Sequence, residues 1–211
     1  MSTKVVAVLN QKGGSGKTTL STHLARALTL AGAKVLLVDS DPQGSARDWH
    51  AAADGELVPV VGLDRPTLEK DIPAIAGSYE WIFVDGAPSR NALALSALKA
   101  ADIVLIPVQP SPYDIWATAE LVDSVKQRQD LTGKPRAAFV ISRQIQGTRL
   151  AQEIRDALES YGLHIFTHST TQRVIYAHSA TTGSTALDIE PESPAAAEIR
   201  AIVSELKEFV A

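Results

Sequence analysis

The chain contains no cysteine. A disulfide framework, a Cys-based zinc site and a thiolate-held iron–sulfur cluster are therefore excluded. No apolar stretch approaches the ~20 residues that span a bilayer. Met1-Ser2-Thr3-Lys4 runs straight into a strand-like segment and carries no signal-peptide pattern. The expected location is cytoplasmic. There is no excess of positive charge: the net charge is −4 and the pI is near 5.7. The chain as a whole is not a basic nucleic-acid binder, although a local basic face is compatible with that total. Aromatic residues make up only 5% of the chain. Trp49, Trp81 and Trp116 read as packing groups rather than base-stacking platforms. His164 and His168 are four apart in a strand-to-loop region, where they share no helix face, so they do not read as a metal pair. No repeat, low-complexity tract or clear linker interrupts the chain.

What is present fits one α/β domain over residues 1–211. At 211 residues and 45% hydrophobic composition the chain can bury a sizeable core. Apolar runs alternate with helix-like stretches. Val5–Leu9, Val35–Val38, Trp81–Val84, Ile103–Ile106 and Ala137–Ile141 read as buried parallel strands. Short strands are expected at Val58–Val61 and near His164–Phe166. Helices are expected after the first strand and over 45–56, Pro66–Ala76, Asn91–Ala100, Asp114–Gln129 (capped by Asp114), Thr148–Ser160 and Pro194–Phe209. The rest of the last quarter looks less regular. This alternation implies a doubly wound, mostly parallel sheet with helices on both faces. In such sheets ligands bind at the carboxyl ends of the strands. Four strands here end in polar or turn residues, at Asn10-Gln11, Asp39, Asp85 and Pro107, and these ends should converge.

At the first of those ends stands Lys12-Gly13-Gly14-Ser15-Gly16-Lys17-Thr18-Thr19. A strand, a glycine-rich turn and a helix start are the context in which a phosphate-binding loop works. Glycines let the backbone wrap a polyphosphate with its N–H groups inward, and the helix N-terminus adds partial positive charge. Lys17 would reach the β- and γ-phosphates, and the Thr18 hydroxyl would ligate Mg²⁺. The general pattern wants glycine where this chain has Gln11. A second lysine, Lys12, lies inside the loop.

Two acidic strand ends accompany the loop. Asp85 closes four apolar residues, the usual delivery of an acid that holds Mg²⁺ through its water shell. Gly86-Ala87-Pro88 would follow it near the γ-phosphate. Asp39-Ser40-Asp41-Pro42-Gln43 places two acids around one residue. A carboxylate there can orient the water that attacks a phosphoryl group. On spacing alone an Asp-Pro turn is an equal reading.

Taken together, Gln11–Thr19, Val38–Gly44, Phe83-Val84-Asp85 and Pro107-Val108-Gln109-Pro110-Ser111-Pro112-Tyr113-Asp114 resemble the deviant Walker A ATPases. Within them the chain is similar to the small ParA class that partitions plasmids and chromosomes. The resemblance implies a P-loop ATPase using ATP/ADP and Mg²⁺. It implies that Lys12 is the signature lysine, crossing an ATP-dependent homodimer interface to the partner's nucleotide. Lys17 would be the main phosphate lysine, and Thr18 with Asp85 would serve the metal. Asp39 would support the metal shell, and Asp41 would orient the water. Pro107–Asp114 would border the base and the interface, and Ser142 with Arg143 would contact the adenine. Gly86-Ala87 stands where threonine and proline are more usual.

The same resemblance implies non-specific DNA binding by the ATP state, with Arg143, Arg149, Arg173 and Lys207 as candidates. It also implies nucleoid association and a centromere-binding or cargo adaptor protein that stimulates slow hydrolysis. A membrane partner is not expected. The tail Ala196–Ala211 has Ile199, Ile202, Val203, Leu206 and Val210 on one face, and its charges sum to −1. It reads as a packed helix rather than a lipid anchor. Two other roles remain open: positioning a protein cargo such as a chemotaxis cluster or a carboxysome, and a metabolic P-loop enzyme.

Overall fold

The computed structural model describes residues 3–88, 92–145 and 149–211, with the backbone alone for 149–152. Its seven strands are β1 (Lys4–Val8), β2 (Val35–Asp39), β3 (Val60–Gly62), β4 (Trp81–Asp85), β5 (Ile103–Val108), β6 (Arg136–Ile141) and β7 (His164–Ile165). They form one sheet in the order β3-β2-β4-β1-β5-β6-β7. Every pairing is parallel. The doubly wound expectation holds.

The central strands are apolar throughout because both faces are covered. On one face Val6, Val8, Leu37 and Phe83 pack under α1 (Lys17–Leu30), α2 (Ser45–Ala52), α8 (Val174–Thr181), α9 (Ala186–Ile189) and α10 (Pro194–Val210). On the other, Ala7, Val38, Val84 and Ile106 pack under α3 (Leu68–Ile75), α4 (Ala92–Ala100), α5 (Pro112–Trp116), α6 (Ala119–Thr132) and α7 (Arg149–Glu159). The tail helix α10 buries Ile199, Ile202, Val203 and Leu206. Its apolar face belongs to the core, as its composition suggested. No helix among the described residues is long and apolar enough to cross a membrane.

Some boundaries differ from expectation, each for a local reason. The helix expected from Asp114 to Gln129 is two helices, α5 and α6. Ser111 occupies the N-cap position of α5 without a side-chain capping bond, and Pro112 its first position, where proline's missing N–H costs nothing. Asp114 is therefore not a cap. It lies in the first turn and is buried. The Thr118 hydroxyl donates back to Ile115 O at 2.6 Å, at the break between the helices. Helix α3 starts at Leu68, beyond Pro66, and contains Pro73. The last quarter is more regular than its sequence suggested. Helices α8 and α9 form there, held by buried Tyr176, Ser179, Ala186 and Leu187. Trp49 is buried and donates from Nε1 to Ser184 O at 2.9 Å. Trp81 stacks on Phe83. Trp116 is 66% exposed, edge-on to Tyr113, and does not pack in the core. Only Asp114 and Ile115 of this five-residue helix turn inward. Asn91 and Thr148 lie outside the described residues.

Candidate functional site

The loop between β1 and α1 is shaped by two left-handed glycines, Gly14 at φ 74° and Gly16 at φ 99°. Gly16 is the N-cap of α1 and offers no side chain to the helix's first amides. Those amides have no partner within the helix and are free to face an anion. The loop's carbonyls are drawn elsewhere. Lys12 O accepts from Lys17 Nζ at 3.1 Å, Gly14 O from Gln109 Nε2 at 2.6 Å and Ser15 O from Ser142 Oγ at 2.8 Å. Asn10 braces the base of the loop, accepting from Lys12 N at 2.9 Å and donating to Pro107 O at 2.7 Å.

The two lysines point in different directions. Lys17 is buried, which lowers its pKa, while nearby Asp85 and then Asp41 raise it. Lys17 is thus a buried cation within the field of Asp85 and Asp41. Lys12 leaves the loop and pairs with Asp114. Its side chain is 43% exposed, whereas that of Asp114 is 1% exposed. Asp114 Oδ2 is buried and has no hydrogen-bond partner.

Parallel register sets Asp39 beside Asp85, one at the end of β2 and the other at the end of β4. Asp85 accepts from the Thr18 hydroxyl at 2.7 Å and from the Ser21 hydroxyl at 3.2 Å. Its carboxyl is pushed up to about 7, chiefly by burial and also by the adjacent Asp39, against the lowering effect of the Thr18 and Ser21 bonds and of Lys17. The Asp85 carboxyl and the Thr18 hydroxyl are two adjacent hard oxygens of the kind Mg²⁺ takes, and the ion's charge would favour the ionised carboxylate. Thr18 and Asp85 thus fit the ion expected of them. Gly86 is needed where β4 ends, because a Cβ there would lie 2.4 Å from Leu9 Cδ2 and 2.9 Å from Val8 O.

Asp39 has a use its sequence context did not suggest. Its Oδ1 accepts from Asp41 N at 3.0 Å and its Oδ2 from Arg47 N at 2.9 Å. The N-cap of helix α2 is Gly44, which carries no capping side chain. Asp39 supplies that cap from the neighbouring strand. Each of its oxygens therefore already serves the turn that carries Asp41. That turn runs Asp41-Pro42-Gln43-Gly44 and closes with Gly44 N donating to Asp41 O at 2.9 Å. Proline at the second position and glycine at the fourth suit a type I turn.

Beside the loop lies a cleft of about 480 Å³ lined by Gly16, Thr19, Ser142, Arg143, Thr171 and Tyr176. Ser142 and Arg143 thus border a cleft adjoining the loop. The Ser142 hydroxyl, however, is spent on Ser15 O. Arg143 adopts φ 53°, uncommon for a residue with a side chain. The far wall is held by Glu198 of α10. It accepts from Thr171 N, the Thr171 and Tyr176 hydroxyls and both Nε and Nη2 of Arg173, all within 3.1 Å. Arg173 is thus tied to a carboxylate. Lys207 is exposed on α10, and the side chain of Arg149 lies outside the described residues. Sequence reading missed the roles of Arg47, Gln109 and Glu198. Gln109 acts through a contact 95 residues away and Glu198 through contacts 22 to 27 residues away, whereas Arg47 acts on the turn just before it, where no motif marks it.

The profile of the CobQ/CobB/MinD/ParA nucleotide binding domain matches residues 6–184. The chain is 30% identical over 206 residues to Maintenance of carboxysome distribution protein A of Halothiobacillus neapolitanus, covering 95% of each. It is 30% identical over 236 aligned residues to Chromosome-partitioning ATPase Soj of Thermus thermophilus, covering 95% of this chain and 94% of that one. Its fold is similar to that of the septum site-determining protein MinD of Pyrococcus horikoshii, solved with Mg-ADP. The TM-score is 0.75 at 18% identity, covering 99% of this chain and 98% of that one. Use of ATP or ADP with Mg²⁺ belongs to this family. The chain is a member of the CobQ/CobB/MinD/ParA nucleotide-binding family, among its ParA-type P-loop ATPases.

Proposed function

We propose that the chain is a single-domain, ParA-type positioning ATPase that works as an ATP-dependent homodimer on DNA. The observation that carries this reading is the division of labour between two lysines in one loop. Lys17 is buried in the field of Asp85 and Asp41, whereas the half-exposed Lys12 is paired with Asp114. A phosphate loop needs only the first. The second is available to a partner subunit's nucleotide.

In this reading the amides of Gly13–Thr19 and Lys17 hold the polyphosphate. Ser142 and Arg143 border the base. Thr18 and Asp85 would hold Mg²⁺ with Asp39 beside them, and that ion would neutralise phosphate charge when bound. Lys17 leaves Lys12 O for the phosphate. Asp41 orients the attacking water and accepts its proton. ATP favours the dimer because the γ-phosphate is contacted by both subunits only there. The dimer carries DNA through basic side chains, the exposed Arg143 and Lys207 together with Arg149, and an adaptor protein stimulates hydrolysis and release. A cytoplasmic, nucleoid-associated site of action follows.

The cargo has two readings. Similarity to Soj supports DNA partition. The relative named for carboxysome distribution, matched over 95% of both chains, supports a protein assembly as cargo. The test is DNA binding on unrelated duplexes with no nucleotide, with ADP and with ATP–Mg²⁺, alongside sedimentation. Binding and dimerisation in ATP alone, without sequence preference, are expected. Equal binding in ADP, or none in any state, would overturn the reading.

A further inference from the structure

Arg47 makes several contacts that the chemistry above leaves without a purpose. It is the third residue of α2, and its side chain is 40% exposed. It does little to anchor the helix, a task that falls to buried Ala46 and Trp49. The guanidinium instead folds back over the turn that precedes it. Nη2 donates to Asp41 O at 3.1 Å and reaches Pro42 O at 3.5 Å. The same nitrogen lies 3.7 Å from Asp64 Oδ2, just past the end of β3. Nε is buried 3.4 Å from Asp39 Oδ2. One side chain thus bridges the Asp41 turn, the end of β2 and the loop after β3.

The backbone makes room for this contact. A Cβ on Gly62 would come 2.9 Å from Arg47 Cδ, and one on Gly44 would come 3.2 Å from Nε. Asp41 is consequently held at both of its peptide groups. Asp39 grips its N–H from the sheet side, and Arg47 grips its carbonyl from the outside. The turn would otherwise rest on its own internal bonds, Gly44 N to Asp41 O and Gln43 N to Asp41 Oδ1.

We propose that Arg47 is a positioning residue for ATP hydrolysis, fixing the turn so that the Asp41 carboxylate meets the attacking water in the required place. The proposal rests on the reading of Asp41 as the water-orienting acid. Its physical basis is that hydrolysis tolerates little error in the nucleophile's position: a displacement of about 1 Å can cost about 100-fold in rate. Arginine suits the task because its planar fork reaches two carbonyls and two carboxylates at once, which a lysine's point charge does not. Binding of nucleotide makes no use of these contacts, so Arg47 should act on kcat and leave KM alone.

The test compares wild type, Arg47→Ala, Arg47→Lys, Gly62→Ala and Asp41→Ala for steady-state ATP turnover, affinity for a fluorescent ATP analogue, and melting temperature. Arg47→Ala is expected to lower kcat about 10-fold or more, with ATP affinity within about twofold of wild type. Arg47→Lys should recover part of that loss. Gly62→Ala keeps the arginine but pushes it from its seat, so it should lower kcat in the same direction. If Arg47→Ala does not fold, Gly62→Ala decides. Wild-type kcat in a folded Arg47→Ala, or in Gly62→Ala when it decides, with an inactive Asp41→Ala, would overturn the role of Arg47 alone. Turnover retained by Asp41→Ala would overturn the reading of Asp41 beneath it.

Discussion

Asp85 pairs a full burial with a carboxyl pushed up to about 7. In the unfolded chain that group loses its proton near the ordinary carboxylate value of about 4. Between those two values the folded protein holds the proton longer than the unfolded chain does. Stability from this residue is therefore present at low pH and is lost as pH rises toward 7. Melting curves in metal-free buffer from about pH 5 to about pH 7.5 should show wild type losing ground to Asp85→Asn as pH rises. Parallel curves would remove Asp85 from the pH response. His23 works in the opposite sense. Its Nε2 accepts from Ala186 N at 3.1 Å, so the ring is neutral and Nδ1 donates to Thr19 O at 2.8 Å. Burial lowers its pKa to about 4, against the hydrogen bond to Thr19. Its contribution is present above about pH 6.5 and is lost as pH falls toward 4. That opposition is why the difference between wild type and Asp85→Asn, rather than either curve alone, carries the answer. Lys12 acts through its ion pair. Removing it leaves Asp114 buried without a cation. Lys12→Ala should cost about 1–2 kcal/mol, since the lysine is half-exposed, and Lys12→Ala with Asp114→Asn should recover most of it. Urea titration of the single and double variants measures both.

The elements differ in how far their sequences specify them. β1, β2, β4 and β5 were legible as apolar runs that stop at a polar residue. Asp39 and Asp85 could be placed together from that pattern alone, because parallel strands in a doubly wound sheet bring their carboxyl ends to one edge. The loop's glycines were legible for the same local reason. Gln109 on Gly14 and Lys12 on Asp114 join residues 95 and 102 apart, and no spacing rule reaches that far. Helices α8 and α9 were missed because their inward residues, Tyr176, Ser179 and Ala186, mix polar with apolar. Their partners decide them. Helix α10 was read correctly as a packed element, and its burial sets a magnitude. Ile199 is fully buried against the α1 side of the sheet. Ile199→Ala should cost about 2–5 kcal/mol with an unchanged denaturant slope. A loss below about 0.5 kcal/mol would mean that the tail does not pack as described.

At the scale of the whole molecule, the net charge of −4 decides what kind of DNA binding is possible. An acidic protein gathers few phosphate contacts unless two copies combine their basic faces. Binding by the ATP state should therefore fall steeply with salt, with a slope that counts the phosphates neutralised. Fluorescence anisotropy on a duplex across a series of potassium chloride concentrations measures that slope. A flat response would place the contacts on bases instead of the backbone.

The order of the sheet has a consequence for how the protein is made. β1 leaves the ribosome before the other strands, yet its neighbours are β4 and β5. Val5 N waits for the side chain of Asp102, 97 residues later. The phosphate loop hangs from β1, so a nascent chain has no walls for a nucleotide until β5 has emerged. Pairing of this kind forms late, after long loops have closed. Until then the apolar run Val5–Leu9 has no neighbouring strands and is exposed to chaperones. The nucleotide site thus assembles only after β5, although the segment that bears it is synthesised before every other strand of the sheet.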